Sequence, residues 1–161
     1  PIFLDHMLTA LGHHALMDLN LACTGDTHID PHHTVEDCGI VLGQAIDAAL
    51  GDRSGIQRFG DASAPLDEAL GRATVDFSGR GSSTVRIAFR EPSIGQLPTS
   101  LIPHLIDCIA LNARATIHIE ASGEDDHHVA EAAFKALARA LRAAWSIDPR
   151  RGGAEIGRAH V

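Results

Sequence analysis

Residues 30–36 read DPHHTVE and residues 125–131 read DDHHVAE, so one pattern occurs twice in this chain of 161 residues. In both copies a pair of histidines follows an aspartate, and a glutamate lies four residues after the first histidine. Aspartate is favoured at the N-cap of a helix, and the apolar residues that follow recur at helical spacing. We therefore predict two helices, one ending at about Leu50 and one spanning about 127–145.

The repetition extends beyond the motif. A helix with apolar residues at helical spacing is predicted before each copy, over 3–14 and about 100–112, and alternating strands are predicted over 17–21 and 115–120. Matching histidines recur at nearly the same offset of roughly 95 residues, which is the signature of an internal repeat. The order helix, strand, turn, helix is therefore predicted twice.

The middle of the chain has the alternating pattern of β-strands. Residues 72–77 and 84–89 alternate, and the turn residues at 78–81 join them, which predicts a hairpin before the second copy. No matching segment precedes the first copy, so we expect that its hairpin is missing and that the chain is a fragment.

Length and composition suit one compact domain, because 45% of the residues are hydrophobic. We predict a single domain over 1–153, with halves of about 1–54 and 55–153.

The net charge of −8 argues against a nucleic-acid partner. No apolar run approaches the roughly 20 residues of a membrane span, and no signal peptide is evident, so a cytoplasmic location is predicted. The three cysteines are predicted to be buried free thiols.

The repeated motif has the donors and spacing of a metal site. The first histidine and the glutamate of each copy lie one above the other on a helix face, whereas the second histidine points roughly 100° around the axis. Imidazole nitrogen with carboxylate oxygen suits Mn, Fe, Co or Zn. The spacing predicts two sites, built from His6, His32 and Glu36 and from His104, His127 and Glu131, each completed by an outer histidine, His33 or His128.

Structural roles compete with these assignments. A single His-His pair at a helix start is usually a surface feature, but two pairs with matching glutamates favour metal binding. His13, His28 and His118 lack such partners, and His14 is left open. Arg58 and Arg80 lie beside glycines, where a guanidinium can reach an anion, although solvated loop arginines are common. Lys135 and Glu131 are spaced for an ordinary helix ion pair.

Six segments together resemble one family: FLDHML at 3–8, GDTHIDPHHTVED at 25–37, RFGDASAPLDEAL at 58–70, DFSGR at 76–80, DHHVAEAAFKALARALR at 126–142 and DPRRGG at 148–153. On these segments the chain resembles imidazoleglycerol-phosphate dehydratase of histidine biosynthesis, over nearly its whole length. The resemblance implies an α+β fold of two similar halves with the helices packed between two β-sheets, ribosomal protein S5 domain 2-like.

The resemblance also implies the activity. The family dehydrates D-erythro-imidazole glycerol phosphate to imidazole acetol phosphate, and two Mn²⁺ per site stabilise an imidazolate so that a carboxylate can remove a carbon-bound proton. Glu36 and Glu131 are the carboxylates available for catalysis. The implied metal ligands are His6, His32, Glu36 and His128 for one ion, and His33, His104, His127 and Glu131 for the other.

Substrate contacts and assembly are implied in the same way. His14, Arg58, Arg80 and Lys135 match family positions that contact the substrate, with the three basic residues near its phosphate. The family forms trimers that assemble into a 24-mer, so a homo-oligomer without nucleic-acid or membrane partners is expected.

The chain departs from the family pattern at both ends and in one loop. We expect that a segment carrying a further acid–base glutamate is missing, residues 81–83 replace an aromatic-containing stretch, and residues 155–161 replace the phosphate-binding terminus. These last seven residues also match a translated sequencing adapter, so the tail at 154–161 is expected to be non-native. We therefore expect weak or absent turnover.

A zinc-type hydrolase, a metal-storage protein and an inert fragment are the alternative functions. HExxH hydrolases place the glutamate between the histidines rather than after them.

Overall fold

The computed structural model describes residues 2–151 and has the predicted α+β architecture. The predicted tail at 154–161 lies outside the described residues, and the domain boundaries remain predictions. In chain order the elements are α1 (Ile2–Ala15), α2 (His32–Leu50), β1 (Phe59–Leu66), β2 (Ala69–Asp76), β3 (Ser82–Ile87), β4 (Ser93–Ile94), β5 (Leu97–Pro98), α3 (Leu101–Ala113), β6 (Thr116–Ser122) and α4 (Asp126–Trp145). A short 3-10 turn, Pro149–Arg151, follows α4.

Aspartates bind the first turns of both motif helices: Asp125 is the N-cap of α4, whereas Asp30 lies one residue before Pro31, the N-cap of α2. The carboxylate of Asp30 accepts the backbone N–H of His32 at 2.9 Å. Asp125 accepts the N–H groups of His127 and His128 at 2.8 and 3.3 Å. These bonds satisfy backbone donors that have no partner within the helix, and they fix both histidine pairs in a first helical turn.

The four-stranded sheet has the order β1-β2-β6-β3. β1 and β2 form an antiparallel hairpin that turns at Asp67 and Glu68. The predicted hairpin between residues 72–77 and 84–89 is wrong, because β6 lies between β2 and β3 and pairs with both of them. Strand β1, which the sequence analysis did not predict, lies at an edge of the sheet. Pro65 is tolerated there because an edge strand does not need every backbone N–H for pairing.

The helices pack in pairs that cross the two copies of the repeat. α1 lies against α4, and α2 lies against α3, while α4 also covers β1 and β2. Buried alanines of α4, such as Ala133, Ala136 and Ala140, allow this close approach to its neighbours. The apolar residues of these elements form one main core that holds the paired helices against the sheet.

The predicted strand at 17–21 is not formed, although its inward face was predicted correctly. Met17, Leu19 and Leu21 pack against the core, whereas Asp18 and Asn20 are exposed. No other described segment pairs with it, so the alternation is present without a hydrogen-bonded ladder.

The cysteine prediction holds for two of the three thiols. Cys38 and Cys108 are buried and free, whereas Cys23 is free but exposed. Over the part of the chain that the structure describes, no helix has the length and apolar character needed to cross a membrane.

Candidate metal centre

The α1–α4 cluster consists of His6, His127 and Glu131. The Nε2 atoms of both histidines lie 3.3 Å from the same carboxylate oxygen, Oε2 of Glu131. His127 also packs edge-on against Phe3, with ring centroids 5.0 Å apart. Glu131 is only 15% exposed, and its other oxygen lies 2.9 Å from Nζ of Lys135. The cluster therefore has its carboxylate fixed on one side and its imidazoles more exposed on the other.

The α2–α3 cluster consists of His32, Glu36 and His104. Nε2 of His104 lies 2.8 Å from Oε2 of Glu36, and Nε2 of His32 lies 3.6 Å from that same oxygen. The rings of His32 and His104 are 4.8 Å apart. Cys108, one turn after His104, places its Sγ 3.8 Å from the His104 Nε2. Both clusters thus have the same plan of two imidazoles facing one carboxylate oxygen.

Both carboxyl groups have pKa values below their usual range. For Glu131, burial raises the pKa, but hydrogen bonds from Lys135 and His6 outweigh it. For Glu36, the hydrogen bond from His104 is the main cause of the lowered pKa. A carboxylate that stays ionised is ready to bind a cation, so the electrostatics of both clusters favour that role.

The geometry of each cluster fits one metal ion. The three ligand atoms of each set lie within 4.8 Å of one another. Donors about 2.1 Å from a metal and at right angles to one another are separated by about 3 Å, close to the shorter distances found in both clusters. The nitrogen and oxygen donors suit a first-row transition metal.

The two clusters combine the predicted ligands in a way that the sequence did not predict. His6 joins His127 and Glu131, whereas both the spacing and the resemblance grouped it with His32 and Glu36. His104 likewise joins the first motif rather than the second. The reason is the crossed packing, since α1 lies against α4 and α2 against α3.

The outer histidines of the two pairs belong to neither cluster in the described chain. His33 is exposed beside His32. His128 points to the β1–β2 turn, where its Nδ1 lies 2.5 Å from Oε1 of Glu68. That bond raises the pKa of His128, and together with the N–H of Glu124 it lowers the pKa of Glu68 to about 2.

Two of the predicted substrate contacts lie near the α1–α4 cluster. Lys135 contacts Glu131 directly. His14 is partly buried on α1, and its pKa is lowered first by burial and then by His13 and Lys135, while Glu131 opposes the shift. His14, Lys135 and Glu131 therefore act on one another electrostatically.

The two predicted arginines lie at the far ends of the helices. Arg58 donates its backbone N–H to Ala144, which is about 20 Å along α4 from Glu131 at 1.5 Å per residue. Its guanidinium is held by Asp76, with Nε 2.7 Å from Oδ1. Arg80 lies in a turn whose Gly79 N–H binds the carbonyl of Arg114, roughly 15 Å along α3 from His104. One chain therefore does not bring either arginine to a cluster.

A family model described as imidazoleglycerol-phosphate dehydratase matches residues 2–141. The chain belongs to the imidazoleglycerol-phosphate dehydratase family. Among curated relatives with that name, the protein of Acidiphilium cryptum is 54% identical over 153 residues, which cover 94% of this chain and 78% of the relative. The protein of Candida glabrata is 57% identical over 143 residues, covering 88% and 68%.

Solved structures agree with this assignment. Imidazoleglycerol-phosphate dehydratase from Staphylococcus aureus superposes with a TM-score of 0.85 at 36% identity, covering 92% of this chain and 84% of the other. The protein of the same family from Pyrococcus furiosus gives 0.76 at 35% identity, covering 95% and 84%. The chain is therefore assigned as a hydro-lyase, and the fold predicted from the resemblance is confirmed.

Sequence reasoning missed three residues around these candidates. Asp76 holds Arg58, Glu68 holds His128, and Cys108 lies beside His104. Helical spacing alone points to Cys108, which follows His104 by four residues on one helix face. The contacts of Asp76 and Glu68 depend on strand register and on the β1–β2 turn, and neither is readable from a single sequence.

Proposed function

We propose that this chain is a subunit of a dehydratase that binds two Mn²⁺ per active site and converts D-erythro-imidazole glycerol phosphate to imidazole acetol phosphate and water in the cytoplasm. The observation that carries the proposal is the convergence of two imidazole nitrogens on one carboxylate oxygen in each of two clusters. The dehydratase family model matches residues 2–141, a range that includes all of these donors. Cations bound to them would serve the imidazole of the proposed substrate.

The proposed ligand residues would hold the cation that assists removal of a proton from carbon. When bound, Mn²⁺ supplies Lewis acidity, which makes a proton on carbon beside an imidazole easier to remove. Glu131 is held in place by Lys135 and faces two histidines, so it is oriented before substrate arrives. Glu36 and Glu131 are the proposed catalytic carboxylates, and their lowered pKa values keep both groups in the ionised form that can bind a cation.

Assembly is part of the proposal because one chain leaves predicted site residues apart. His33 and His128 lie outside both clusters, and Arg58 and Arg80 lie about 15–20 Å from them along the helices. Copies of the chain that bring these residues to a neighbour's cluster would complete two metal sites and a cationic phosphate site, with Lys135 and His14 supplied beside Glu131. We propose a homo-oligomer, of the trimer-based 24-mer type that the resemblance implies.

The test combines metal binding with turnover. Mn²⁺ bound per chain is measured by equilibrium dialysis, and imidazole acetol phosphate formation is followed with and without Mn²⁺. His127→Ala and His104→Ala should each lower the Mn²⁺ stoichiometry, because each removes a nitrogen from one cluster. His118→Ala, an exposed histidine on β6, is the matched control and should bind as the parent does.

The outcomes separate the parts of the proposal. Turnover that depends on Mn²⁺ supports the dehydratase, even when it is weak. Because weak or absent turnover is expected of this chain, the refuting result is no product at saturating Mn²⁺ from a version that carries the terminal segments of its relatives. Unchanged stoichiometry in both cluster variants removes those histidines from the ligand set. A monomeric mass of the Mn²⁺-loaded protein in light scattering contradicts the assembly.

A further inference from the structure

Glu68 makes three contacts from the tip of the β1–β2 turn. Its Oε2 accepts the backbone N–H of Glu124 at 2.6 Å and that of Asp125 at 3.3 Å. Its Oε1 lies 2.5 Å from Nδ1 of His128. Both oxygens are thus engaged by the segment where α4 begins, and the carboxylate is fixed relative to the helix that carries His128.

This contact decides which ring nitrogen of His128 is available to a metal. A carboxylate can accept a hydrogen bond from Nδ1 only when that nitrogen carries the proton, so the neutral ring presents its lone pair at Nε2. The four histidines of the two clusters also face their carboxylates through Nε2. Glu68 therefore leaves His128 with the same nitrogen that the clustered histidines use.

We propose that Glu68 is a positioning residue that orients His128 and fixes its tautomer for metal binding, without itself contacting the metal. The inference rests on the proposed function, in which His128 completes a site on a neighbouring copy. Carboxylates that hold the other nitrogen of a metal-binding histidine typically change metal affinity by about 10–100-fold when they are replaced.

A purely structural role is the alternative, because Glu68 also satisfies two N–H groups ahead of α4. That role predicts lost stability with unchanged metal affinity in the molecules that remain folded. If Glu68 instead orients His128, its replacement should weaken metal binding, and it should have no such effect in a protein that lacks His128.

The experiment measures Mn²⁺ affinity of the full chain from the electron paramagnetic resonance signal of free Mn²⁺. Glu68→Gln is expected to weaken the affected class of sites about 10–100-fold. In a His128→Ala background the same substitution should have no further effect. Glu120→Gln, which alters an exposed glutamate paired with Arg86, is the matched control and should bind as the parent does. Unfolding of the metal-free proteins is followed in parallel, to separate stability from affinity.

The results distinguish this inference from the proposed function. Parent protein that binds no Mn²⁺ overturns both. Mn²⁺ binding that is weakened by His127→Ala but unchanged by Glu68→Gln overturns only the role of Glu68. The same holds if Glu68→Gln lowers the Mn²⁺ affinity as much in the His128→Ala background as in the parent. If Glu68→Gln does not fold, the tautomer of His128 is measured in the parent protein instead. ¹⁵N shifts of the metal-free protein at alkaline pH, assigned against His128→Ala, should show the proton on Nδ1, and a proton on Nε2 overturns the inference.

Discussion

Gly43→Ala is expected to destabilise the chain by about 2 kcal/mol. Gly43 lies where α2 packs against α3. A Cβ atom at this position would lie 2.7 Å from the carbonyl oxygen of Ile109, 2.7 Å from the Cβ of Asn112 and 2.9 Å from the backbone nitrogen of Ala113. Two of these three are backbone atoms, so no side-chain rotation removes the overlap and the helices have to move apart.

The magnitude follows from two opposing effects. Over-packing a core costs about 1–3 kcal/mol, and contacts with rigid backbone place Gly43 near the upper end. Alanine is the better helix former by about 1 kcal/mol, which offsets part of that cost. The separation of α2 and α3 also sets the 2.8 Å distance between His104 and Glu36. Mn²⁺ binding at the α2–α3 cluster should therefore weaken, while the α1–α4 cluster is unaffected.

The assay is urea unfolding of the metal-free protein, with Mn²⁺ titration of the folded variant. Gln44→Ala is the control, because Gln44 is the exposed neighbour on the same helix and its replacement should change stability by less than about 0.5 kcal/mol. A Gly43→Ala protein as stable as the parent, or more stable, would refute the close packing of α2 on α3.

The remaining predictions concern ion pairs and pH. The hydrogen bond from Arg114 is the first cause of the lowered pKa of Asp47, so its stabilising effect is present above the usual value of 3.8 and is lost as pH falls through the lower folded value. Asp47→Asn should therefore lower the free energy of unfolding at pH 7 and flatten its fall below pH 4, as measured by urea unfolding across pH; an unchanged pH profile would count against the pairing. Asp76→Asn should cost about 1–2 kcal/mol, because it replaces the charged acceptor of the mostly buried Arg58 guanidinium by a neutral amide. The exposed Glu120→Gln is the control and should lie within about 0.5 kcal/mol of the parent, and equal losses in both variants would contradict the difference in burial.

The helices could be predicted from the sequence because their signals are local. Asp125 is the N-cap of α4, and Asp30, one residue before the N-cap of α2, binds the N–H of His32, so each aspartate lies within three residues of the groups it binds. Apolar spacing set the extent of α1 and α3 to within about two residues. Each of these features depends on neighbours in the chain, so one sequence was enough.

Strand pairing could not be predicted because its partners are distant. The alternation at 72–77 and 84–89 identified two strands, but β6, nearly 30 residues further along, pairs with both. The hairpin partner of β2 is instead β1, which the sequence analysis did not assign as a strand. Turn residues between two strands indicate that the chain reverses direction. They do not show that the two strands are neighbours in the sheet, because a third strand can lie between them.

The candidate site shows the same division between local and distant information. Residue types and helix faces predicted candidate donors, since the two members of each motif are four residues apart. Which leading helix lies beside which motif depends on helix packing, and in the described chain His6 and His104 each lie beside the motif of the other copy. The predicted ligand sets stay predictions. The conclusion that each second histidine lies outside its motif's cluster agrees with the described chain, because it follows from helix geometry alone.

The crossed arrangement would make metal binding and folding interdependent. Each cluster takes one histidine from the leading helix of one copy and two residues from the motif helix of the other, so neither half of the repeat contains a complete cluster. A cation bound to His6 and Glu131 would hold α1 on α4, and one bound to His104 and Glu36 would hold α2 on α3. Because a ligand that binds only the folded state stabilises it by about 2.7 kcal/mol at 100 times its Kd, Mn²⁺ should raise the unfolding temperature through either cluster. Loss of one cluster should remove only part of that increase, because the two clusters hold different helix pairs together.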